Sequence, residues 1–369
     1  MIDFLNSHII LEILLAFLCA LVLTAYFLPV IIRVSNIKGL VDSPNERTSH
    51  KGNIPNLGGM GIFIGFILSS LLFLNITNSP SLQYIMLGTT AMFFVGLRDD
   101  ITVLLPLKKL LAELLIFSIV IYTTDVRFTS LHNFLQVENI GYIFSFLLTL
   151  FVYVVITNSL NLIDGIDGLA AGISALVLCV LGFYFLQVGN IHCHQLSVLC
   201  FAMIGALVPF FIYNVFGTVH KIFMGDTGSL ILGFIITYLI IEFNEVNVML
   251  EGIYHIEAAP AFSINLLIVP LFDTARVFTL RILSGKSPFK ADHNHIHHRL
   301  LAAGFSHRTS TLILMIVTIF FTVIGFLCKN MSIIAVLIID VVIASILMEI
   351  LILKVRKVRR LKEEANTNN

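Results

Sequence analysis

Eleven long apolar runs restrict what this 369-residue sequence can fold into more than any other feature. They lie at about residues 9 to 32, 57 to 75, 82 to 97, 110 to 124, 142 to 158, 169 to 188, 196 to 216, 228 to 242, 262 to 280, 311 to 328 and 331 to 353. Only 12% of the residues are charged, about half the share in a soluble domain. In lipid, a helix satisfies its backbone polar groups within one segment. We therefore expect an all-α polytopic membrane protein with about eleven transmembrane helices.

Lysine and arginine are distributed unequally between the loops that these runs define. With eleven spans, all but two of the 22 Lys and Arg residues fall on the side that carries the C-terminus, and Arg127 and Lys329 are the exceptions. Cytoplasmic loops of membrane proteins carry the excess of positive charge. The count predicts an N-terminus outside the membrane and a cytoplasmic C-terminus. The expected partner is the lipid bilayer, and no nucleic acid is expected.

The chain has neither a recognisable soluble domain nor an internal repeat. Residues 1–355 are predicted to form one integral membrane domain, and residues 356–369 a basic cytoplasmic tail that contacts anionic headgroups and ends in disorder. The five cysteines contain no C-x-x-C pair, and four of them lie in apolar runs. This spacing predicts reduced packing residues and no zinc site.

Polar residues gather in five clusters, all on the predicted cytoplasmic side. They read DSPNERTSHKGNIPNLGG from Asp42, GLRDD from Gly96, NLIDGIDG from Asn161, FMGDTGS from Phe223 and DHNHIHHRL from Asp292. A charged side chain at the centre of a bilayer costs roughly 2.5–3.5 kcal/mol, so acids in such a chain either leave the lipid or carry a function. We expect the functional site at the cytosolic membrane surface.

The first acidic cluster is the pair Asp99 and Asp100, which closes the third apolar run. Lys108 and Lys109 follow at the start of the next run. Adjacent acids after a span are also typical of a solvated helix end. Two acids and a base that flank a short apolar turn instead favour a site for both a cation and an anion.

The other acidic clusters place carboxylates beside glycines. Asn161, Asp164 and Asp167 recur every third residue and would share one face of a helix, although a plain polar loop is the alternative. Asp226 stands just ahead of the eighth run, where it could simply cap a helix. The same position offers free N–H groups to phosphate and a carboxylate to a metal, and Lys221 adds positive charge nearby.

The histidine cluster HNHIHHR contains four of the twelve histidines. Such a cluster invites comparison with the histidine boxes of oxygenases, but those need several boxes, and the other histidines are scattered. Phosphate binding by imidazole and guanidinium groups is the favoured interpretation. The first cytoplasmic loop, with Arg47, His50 and Lys51, is weak evidence alone and gains weight beside the other clusters.

Together these residue types favour metal-dependent phosphate chemistry. Hard oxygen ligands suit Mg²⁺ or Mn²⁺ better than zinc or iron. Lys, Arg and His at the same surface suit phosphates, and joining two phosphate-bearing reactants requires their repulsion to be neutralised. The residues alone do not identify a substrate.

The five clusters, in this order over about residues 42 to 300, resemble those of the polyprenyl-phosphate N-acetylhexosamine-1-phosphate transferases. The His-x-His-His-Arg form is similar to the bacterial undecaprenyl-phosphate GlcNAc-1-phosphate transferase branch, whereas the related MurNAc-pentapeptide translocases carry three consecutive histidines. One departure is His293 and Asn294 after Asp292, where an arginine is expected.

The resemblance implies a Mg²⁺-dependent enzyme, with Mn²⁺ as an alternative, in the bacterial inner membrane. Its reactants would be undecaprenyl phosphate and a UDP-HexNAc, with UDP-GlcNAc preferred, and its products UMP and undecaprenyl-pyrophosphoryl-HexNAc. The active site would be cytoplasmic, residues 1–355 would be the catalytic domain, and the product would enter a cell-envelope polysaccharide. A homodimer is compatible with the resemblance.

The resemblance also implies residue roles. The catalytic residues would be Asp99, Asp100, Asp226 and His297. The metal ligands would be Asp226, Asp100 and Asn161. The substrate-binding residues would be Lys109, Asn161, Asp164, Asp167, Phe223, His295, His298, Arg299 and His50. Among these, Phe223 would stack on uracil, and the histidines with Arg299 would hold the pyrophosphate or the sugar.

Two other classes of protein are the alternatives. A transporter or flippase of polyprenyl-linked sugars would place coupling acids at the middle of the bilayer and have pseudo-symmetric halves. A histidine-box oxygenase would bind iron. The sequence instead places its acids at one face and contains no repeat.

Overall fold

The computed structural model describes residues 2–42, 53–134, 137–285 and 295–367, and this part of the chain is mainly helical. The long helices of the first half are α1 (Ile2–Lys38), α2 (Gly58–Phe73), α3 (Ser81–Ile101), α4 (Pro106–Thr124), α5 (Tyr142–Ile163) and α6 (Leu169–Val188). Those of the second half are α7 (Ile191–Phe216), α8 (Gly225–Val248), α9 (Ala259–Leu266), α10 (Ile268–Leu283), α11 (Ile296–Ala302), α12 (His307–Leu327) and α13 (Ile333–Thr367).

Two short hairpins and one 3₁₀ turn, Ile76–Asn78, interrupt the helices. Strand β1 (Val41–Asp42) pairs with β2 (Ile54–Pro55), and β3 (Ser130–Phe134) pairs with β4 (Val137–Asn139), both antiparallel. The sequence did not predict these strands. The first hairpin leads directly into α2 beside the candidate site.

The structure confirms the expected helical architecture with several apolar helices of membrane-spanning length. Seven helices in the described ranges are long and apolar enough to cross a membrane: α1 from Ile9, α5, α6, α7, α8, α12, and α13 as far as Val358. This supports a multi-pass membrane protein. The count of eleven spans and the orientation of the termini stay predictions. All five cysteines are free, as expected.

The ninth apolar run is not one helix, which corrects the sequence-based expectation. It is divided between α9 and α10, and the residue between them, Leu267, has φ −110° and ψ 21°. Pro270 explains the break, because it has no amide hydrogen to donate to the carbonyl of Leu266 one turn earlier.

The tail is a second correction. Helix α13 continues to Thr367, through most of the segment expected to end in disorder. Lys, Arg, Leu and Glu dominate KVRKVRRLKEE, and all four are good helix formers. The boundary after residue 355 stays a prediction.

Helix α8 is the centre of the bundle, since 19 of its 24 residues are buried. Small residues let its neighbours approach: a Cβ on Gly233 would lie 2.5 Å from the Cα of Thr157 in α5. Phe234 continues this contact by stacking on Tyr153 and Phe117, with ring centroids 5.6 and 6.1 Å away. The N-terminus of α8 is therefore positioned by helices on several sides.

Gly205 in α7 provides a test of this close packing. A Cβ there would lie 2.2 Å from the carbonyl oxygen of Phe17 in α1. We expect Gly205→Ala to lower the stability by about 1–3 kcal/mol, because the backbones of α1 and α7 must separate. Thermal unfolding of the purified protein checks this, with Gly141→Ala as control, since no atom lies within 4 Å of a Cβ at Gly141. Equal unfolding temperatures for the two variants would contradict the packing argument.

Candidate active site

Asp100 holds the N-terminus of α8 against the last turn of α3. Its Oδ1 accepts a hydrogen bond from the backbone N–H of Asp226 at 2.8 Å, and its Oδ2 accepts one from the N–H of Thr227 at 2.9 Å. These N–H groups have no partner inside the helix, and the carboxylate also interacts favourably with the helix dipole. Asp100, predicted as a metal ligand and catalytic residue, thus has a capping role in this structure.

Lys109 lies between two other carboxylates. Its ammonium group is 3.1 Å from Asp99 Oδ2 and 3.2 Å from Asp226 Oδ2. Asp99 Oδ1 also accepts a hydrogen bond from the N–H of Leu104 at 2.7 Å, which orders the turn between α3 and α4. The structure therefore brings together three side chains that the sequence placed on separate segments.

Asp164 adds a carboxylate without a cation. It caps the end of α5, and within the described residues its side chain has neither a hydrogen-bond donor nor an ion-pair partner. Burial, together with the negative charges of Asp226, Asp100 and Asp167, raises its pKa well above the usual value. Carboxylates therefore outnumber cations at this site. We call the group formed by Asp99, Asp100, Asp164 and Asp226 around Lys109 the carboxylate cluster.

Asp167 belongs to the same loop but faces other partners. Its Oδ2 lies 2.6 Å from Lys221 Nζ and 3.4 Å from His307 Nδ1, and its carbonyl accepts from the hydroxyl of Thr311 in α12. Burial alone would raise the pKa of Asp167, but the close contact with His307 and the hydrogen bond from Lys221 hold it below its usual value. Asp167 joins the loop to α12, at the edge of the carboxylate cluster.

The histidine segment, residues 295–299, packs directly on the NLIDGIDG loop. His297, on α11, is 2% exposed, and its Nε2 lies 2.6 Å from where a Cβ on Gly165 would be. Burial and the nearby His298 lower the pKa of His297 to about 3, so its ring is neutral at physiological pH. Its Nδ1 has no hydrogen-bond partner within the part of the chain that the structure describes.

Asp273 on α10 is a site residue that sequence reasoning missed. Its Oδ2 lies 2.9 Å from His295 Nδ1, and its Oδ1 accepts from the N–H of Ile296 and from Arg276, each at 2.9 Å. Because a carboxylate only accepts, His295 Nδ1 carries the hydrogen. Asp273 fixes the start of α11. An acid inside the ninth apolar run was the signal that could have identified it.

Asn214 on α7 is a second missed residue. Its Oδ1 accepts from the N–H of Gly168, and its Nδ2 donates to the carbonyl of Ile222 at 2.8 Å. The side chain connects the NLIDGIDG loop to the segment that leads into α8. It thereby fixes the position of the NLIDGIDG loop relative to the start of α8, which carries Asp226.

The remaining predicted residues surround these clusters. Phe223 pairs through its backbone with Pro55 and Gly58, and Lys221 Nζ lies 5.6 Å from the centroid of its ring. His298 has its ring centroid 4.2 Å from that of His297, and Arg299 follows on α11. Asn161 lies one turn before Asp164. His50 lies outside the described residues, as does the departure at His293 and Asn294.

The oxygen donor atoms of the carboxylate cluster are of the type that binds a hard divalent cation. No group of three His, Cys, Asp or Glu side chains within the described ranges is already arranged as a metal site. The unpartnered carboxylate of Asp164 and the nearby Asp226 nevertheless repel each other. An all-oxygen donor set with surplus negative charge is typical of Mg²⁺ sites.

Comparison with known proteins shows which family the chain belongs to. The family model described as glycosyl transferase family 4 matches residues 82–244. A Bacillus subtilis (strain 168) protein named "Probable undecaprenyl-phosphate N-acetylglucosaminyl 1-phosphate transferase" is 34% identical over 329 residues, which cover 87% of this chain and 86% of that protein. The chain belongs to glycosyl transferase family 4.

Other similar proteins carry a related name. A Yersinia pestis protein named "Undecaprenyl-phosphate alpha-N-acetylglucosaminyl 1-phosphate transferase" is 29% identical, covering 80% of this chain and 78% of its own length. A protein of the same name from Escherichia coli (strain K12) is 28% identical, with coverage of 83% and 81%. The region matched by the glycosyl transferase family 4 model contains every acid of the cluster and ends before α11.

The capping role of Asp100 can be separated from the chemistry of Asp226. We expect Asp100→Ala to lower the stability by about 1–2 kcal/mol, because two N–H groups of α8 lose their acceptor. Asp226→Asn should leave stability unchanged or raise it, since it removes one of several repelling carboxylates. Thermal unfolding of both purified variants provides the test, and the reverse order of stabilities would contradict the assignment.

The neutral state of buried His297 predicts a pH dependence of stability. In the unfolded chain a histidine binds a proton below about pH 6.5, whereas folded His297 does so only near pH 3. Stability should therefore fall as the pH decreases from 6.5, with a limiting slope of about 1.4 kcal/mol per pH unit from this residue. Asp167, with its lowered pKa, acts in the same direction only below about pH 4.

His297→Gln should make unfolding less sensitive to pH between 7 and 5 than it is in the wild type. Melting temperatures of the two proteins across this range check the prediction, and His220→Gln, at an exposed position, is the control. Parallel pH profiles for wild type and His297→Gln would show that the ring is not held neutral by burial.

Proposed function

We propose that this protein transfers HexNAc-1-phosphate, with GlcNAc preferred, from a UDP-sugar to undecaprenyl phosphate. The names of the similar proteins support the lipid acceptor and the sugar phosphate. The observation that carries the proposal is Lys109 held between Asp99 and Asp226 beside the unpartnered Asp164. Such a site offers a cationic group to one phosphate and carboxylates to a divalent ion.

The reaction exchanges one phosphoanhydride bond for another. An oxygen of the lipid phosphate forms a bond to the β-phosphorus of the UDP-sugar. The bond from this phosphorus to the oxygen that bridges the two phosphates breaks, and UMP leaves with that oxygen. The lipid product is undecaprenyl-pyrophosphoryl-HexNAc.

Asp226 and Asp164, with Asn161 nearby, would hold Mg²⁺, and Mn²⁺ would be an alternative. The ion would supply positive charge that offsets the repulsion between the two phosphate groups. Asp100 would contribute by fixing the first turn of α8, and with it Asp226, since both of its oxygens hold backbone N–H groups.

Lys109 would bind and orient the acceptor phosphate. Asp99 keeps the ammonium group in place through its 3.1 Å contact, and it can accept a proton from the lipid phosphate when that group arrives protonated. A fully ionised phosphate would need no base. The ammonium group would then act by positioning and by charge.

The histidine segment would hold the donor. Neutral His297 has its Nδ1 unpartnered within the described residues and could bind the pyrophosphate or the sugar. His295 is oriented by Asp273, and His298 and Arg299 add donors on the same short helix. Phe223 would stack on uracil, and Asp167 would border the nucleotide pocket. His50, outside the described residues, stays a predicted substrate-binding residue.

The excess of Lys and Arg on one side supports a cytoplasmic active site in the bacterial inner membrane. The product would serve as the first lipid-linked intermediate of a cell-envelope polysaccharide. A homodimer is the assembly we propose. The flippase alternative is not favoured, because Asp99, Asp164 and Asp226 lie at the ends of their helices and not along the middle of the spans.

UMP release from purified protein with Mg²⁺, UDP-GlcNAc and undecaprenyl phosphate tests the proposal. We expect Asp226→Asn to lose about 10²–10³-fold in turnover, the scale for removing one electrostatic contact to a reacting group. Asp125→Asn is the control, since Asp125 is exposed and ends α4 in a left-handed conformation that Asn tolerates. Substantial UMP release from Asp226→Asn would remove this residue from the metal role.

The histidine segment makes an independent prediction about the donor. His297→Ala should raise the KM for the UDP-sugar or abolish activity, and Gly165→Ala should act in the same direction because its Cβ displaces the His297 ring. His220→Ala is the control. Steady-state kinetics check this, and unchanged KM and kcat in both variants would leave the segment without a role in donor binding.

A further inference from the structure

A cavity of about 250 Å³ lies between α10, α11, α12 and α13. Every side chain that lines it is apolar except Lys354, and the walls include Phe272, Leu300 and Phe321. Residues of the carboxylate cluster do not line it. The cavity therefore needs an explanation separate from the proposed reaction.

The lining excludes a polar occupant. Apolar cavities of about 150 Å³ stay dry and accept hydrocarbon such as benzene, and this cavity is larger. Leu347 and Ile350 at its rim are 37% and 59% exposed, so the cavity opens to the surroundings of the bundle. Helices α12 and α13 are both candidate membrane spans, so these surroundings are lipid. A hydrocarbon chain from the bilayer is the matching occupant.

The single polar group in the lining is at the cytoplasmic end of the predicted span. Lys354 lies one turn beyond Ile350, with its ammonium group 3.9 Å from the ring centroid of Phe305. Within the described residues it has no carboxylate partner. Arg356 and Lys357 follow on the same exposed helix. An exposed cation at the mouth of an apolar cavity is complementary to an anionic lipid headgroup.

The polyprenyl acceptor does not explain the cavity. Its phosphate would have to reach Lys109 at the start of α4, and neither α3, α4 nor α8 contributes to the lining. We infer that the cavity is a binding site for one acyl chain of an anionic phospholipid, whose headgroup phosphate contacts Lys354.

The cavity lies directly behind the histidine segment. Ile296 and Leu300 of α11 line it, while His297 between them packs against Gly165 on the opposite side. A bound acyl chain would therefore contact the helix that carries the predicted donor-binding residues.

Photolabelling of the full-length protein tests this inference. The protein is reconstituted in phosphatidylcholine nanodiscs that contain a trace of phosphatidylglycerol with a diazirine in its acyl chain, and labelled peptides are mapped by mass spectrometry. We expect labels at cavity residues of α12 and α13, such as Val317 and Met348. A matched phosphatidylcholine probe should label them about fivefold less, the factor for one lysine near an anionic group.

Two kinds of variant identify the site. Ala344→Phe fills the cavity from α13 and should suppress the cavity labels, and Val317→Phe fills it from α12 in case the first variant does not fold. Lys354→Glu should reduce labelling by phosphatidylglycerol to the level of phosphatidylcholine. Lys357→Glu makes the same charge change on the same helix outside the lining, and it should leave the labels unchanged. Size-exclusion elution confirms the folding of each variant.

Three outcomes would overturn the inference. Labels that persist in a folded cavity-filled variant would reflect ordinary contacts with the lipid around the bundle. Equal labelling by the two probes, or no effect of Lys354→Glu, would remove the anionic headgroup. Displacement of the labels by undecaprenyl phosphate, but not by unlabelled phosphatidylglycerol, would assign the cavity to the acceptor.

Discussion

The contact of Lys109 with both Asp99 and Asp226 is the interaction on which the candidate active site depends. It joins α3, α4 and α8 at one end of the bundle. One ammonium group balances two carboxylates, and Asp164 remains uncompensated beside them. Because α8 is buried along most of its length, the carboxylates cannot separate to relieve their repulsion. A site of this kind favours ligands that bring positive charge, and then anions bound through that charge.

The histidine segment differs from the carboxylate cluster because its buried ring, that of His297, is uncharged. His297 is neutral and packed against a glycine, and His295 is fixed by a carboxylate from α10. The two clusters meet at the NLIDGIDG loop. Asp164 lies near the other carboxylates, and the next residue, Gly165, contacts the ring of His297. A donor with a pyrophosphate and a sugar could extend from the carboxylate cluster to the histidine segment. This arrangement is consistent with the proposed transfer between two phosphate-bearing reactants.

Much of this fold could be predicted from the sequence, because ten of the eleven apolar runs each coincide with one helix. The break at Leu267 was missed because Pro270 was counted as part of an apolar run, although its missing N–H ends the helix bond pattern. Asp99 and Asp100 look equivalent in sequence. On a helix they point about 100° apart, so one contacts Lys109 and the other caps α8. Such roles depend on partners from other segments, which hydropathy does not reveal.

Binding of Mn²⁺ to the purified protein, followed by electron paramagnetic resonance of the free ion, shows whether these carboxylates form a divalent-ion site. We expect saturable binding that Mg²⁺ displaces, and a loss of affinity of at least about tenfold, or 1.4 kcal/mol, in Asp226→Asn but not in Asp125→Asn. Binding that is absent in the wild type, or equal in the two variants, would contradict a divalent-ion site formed by these carboxylates.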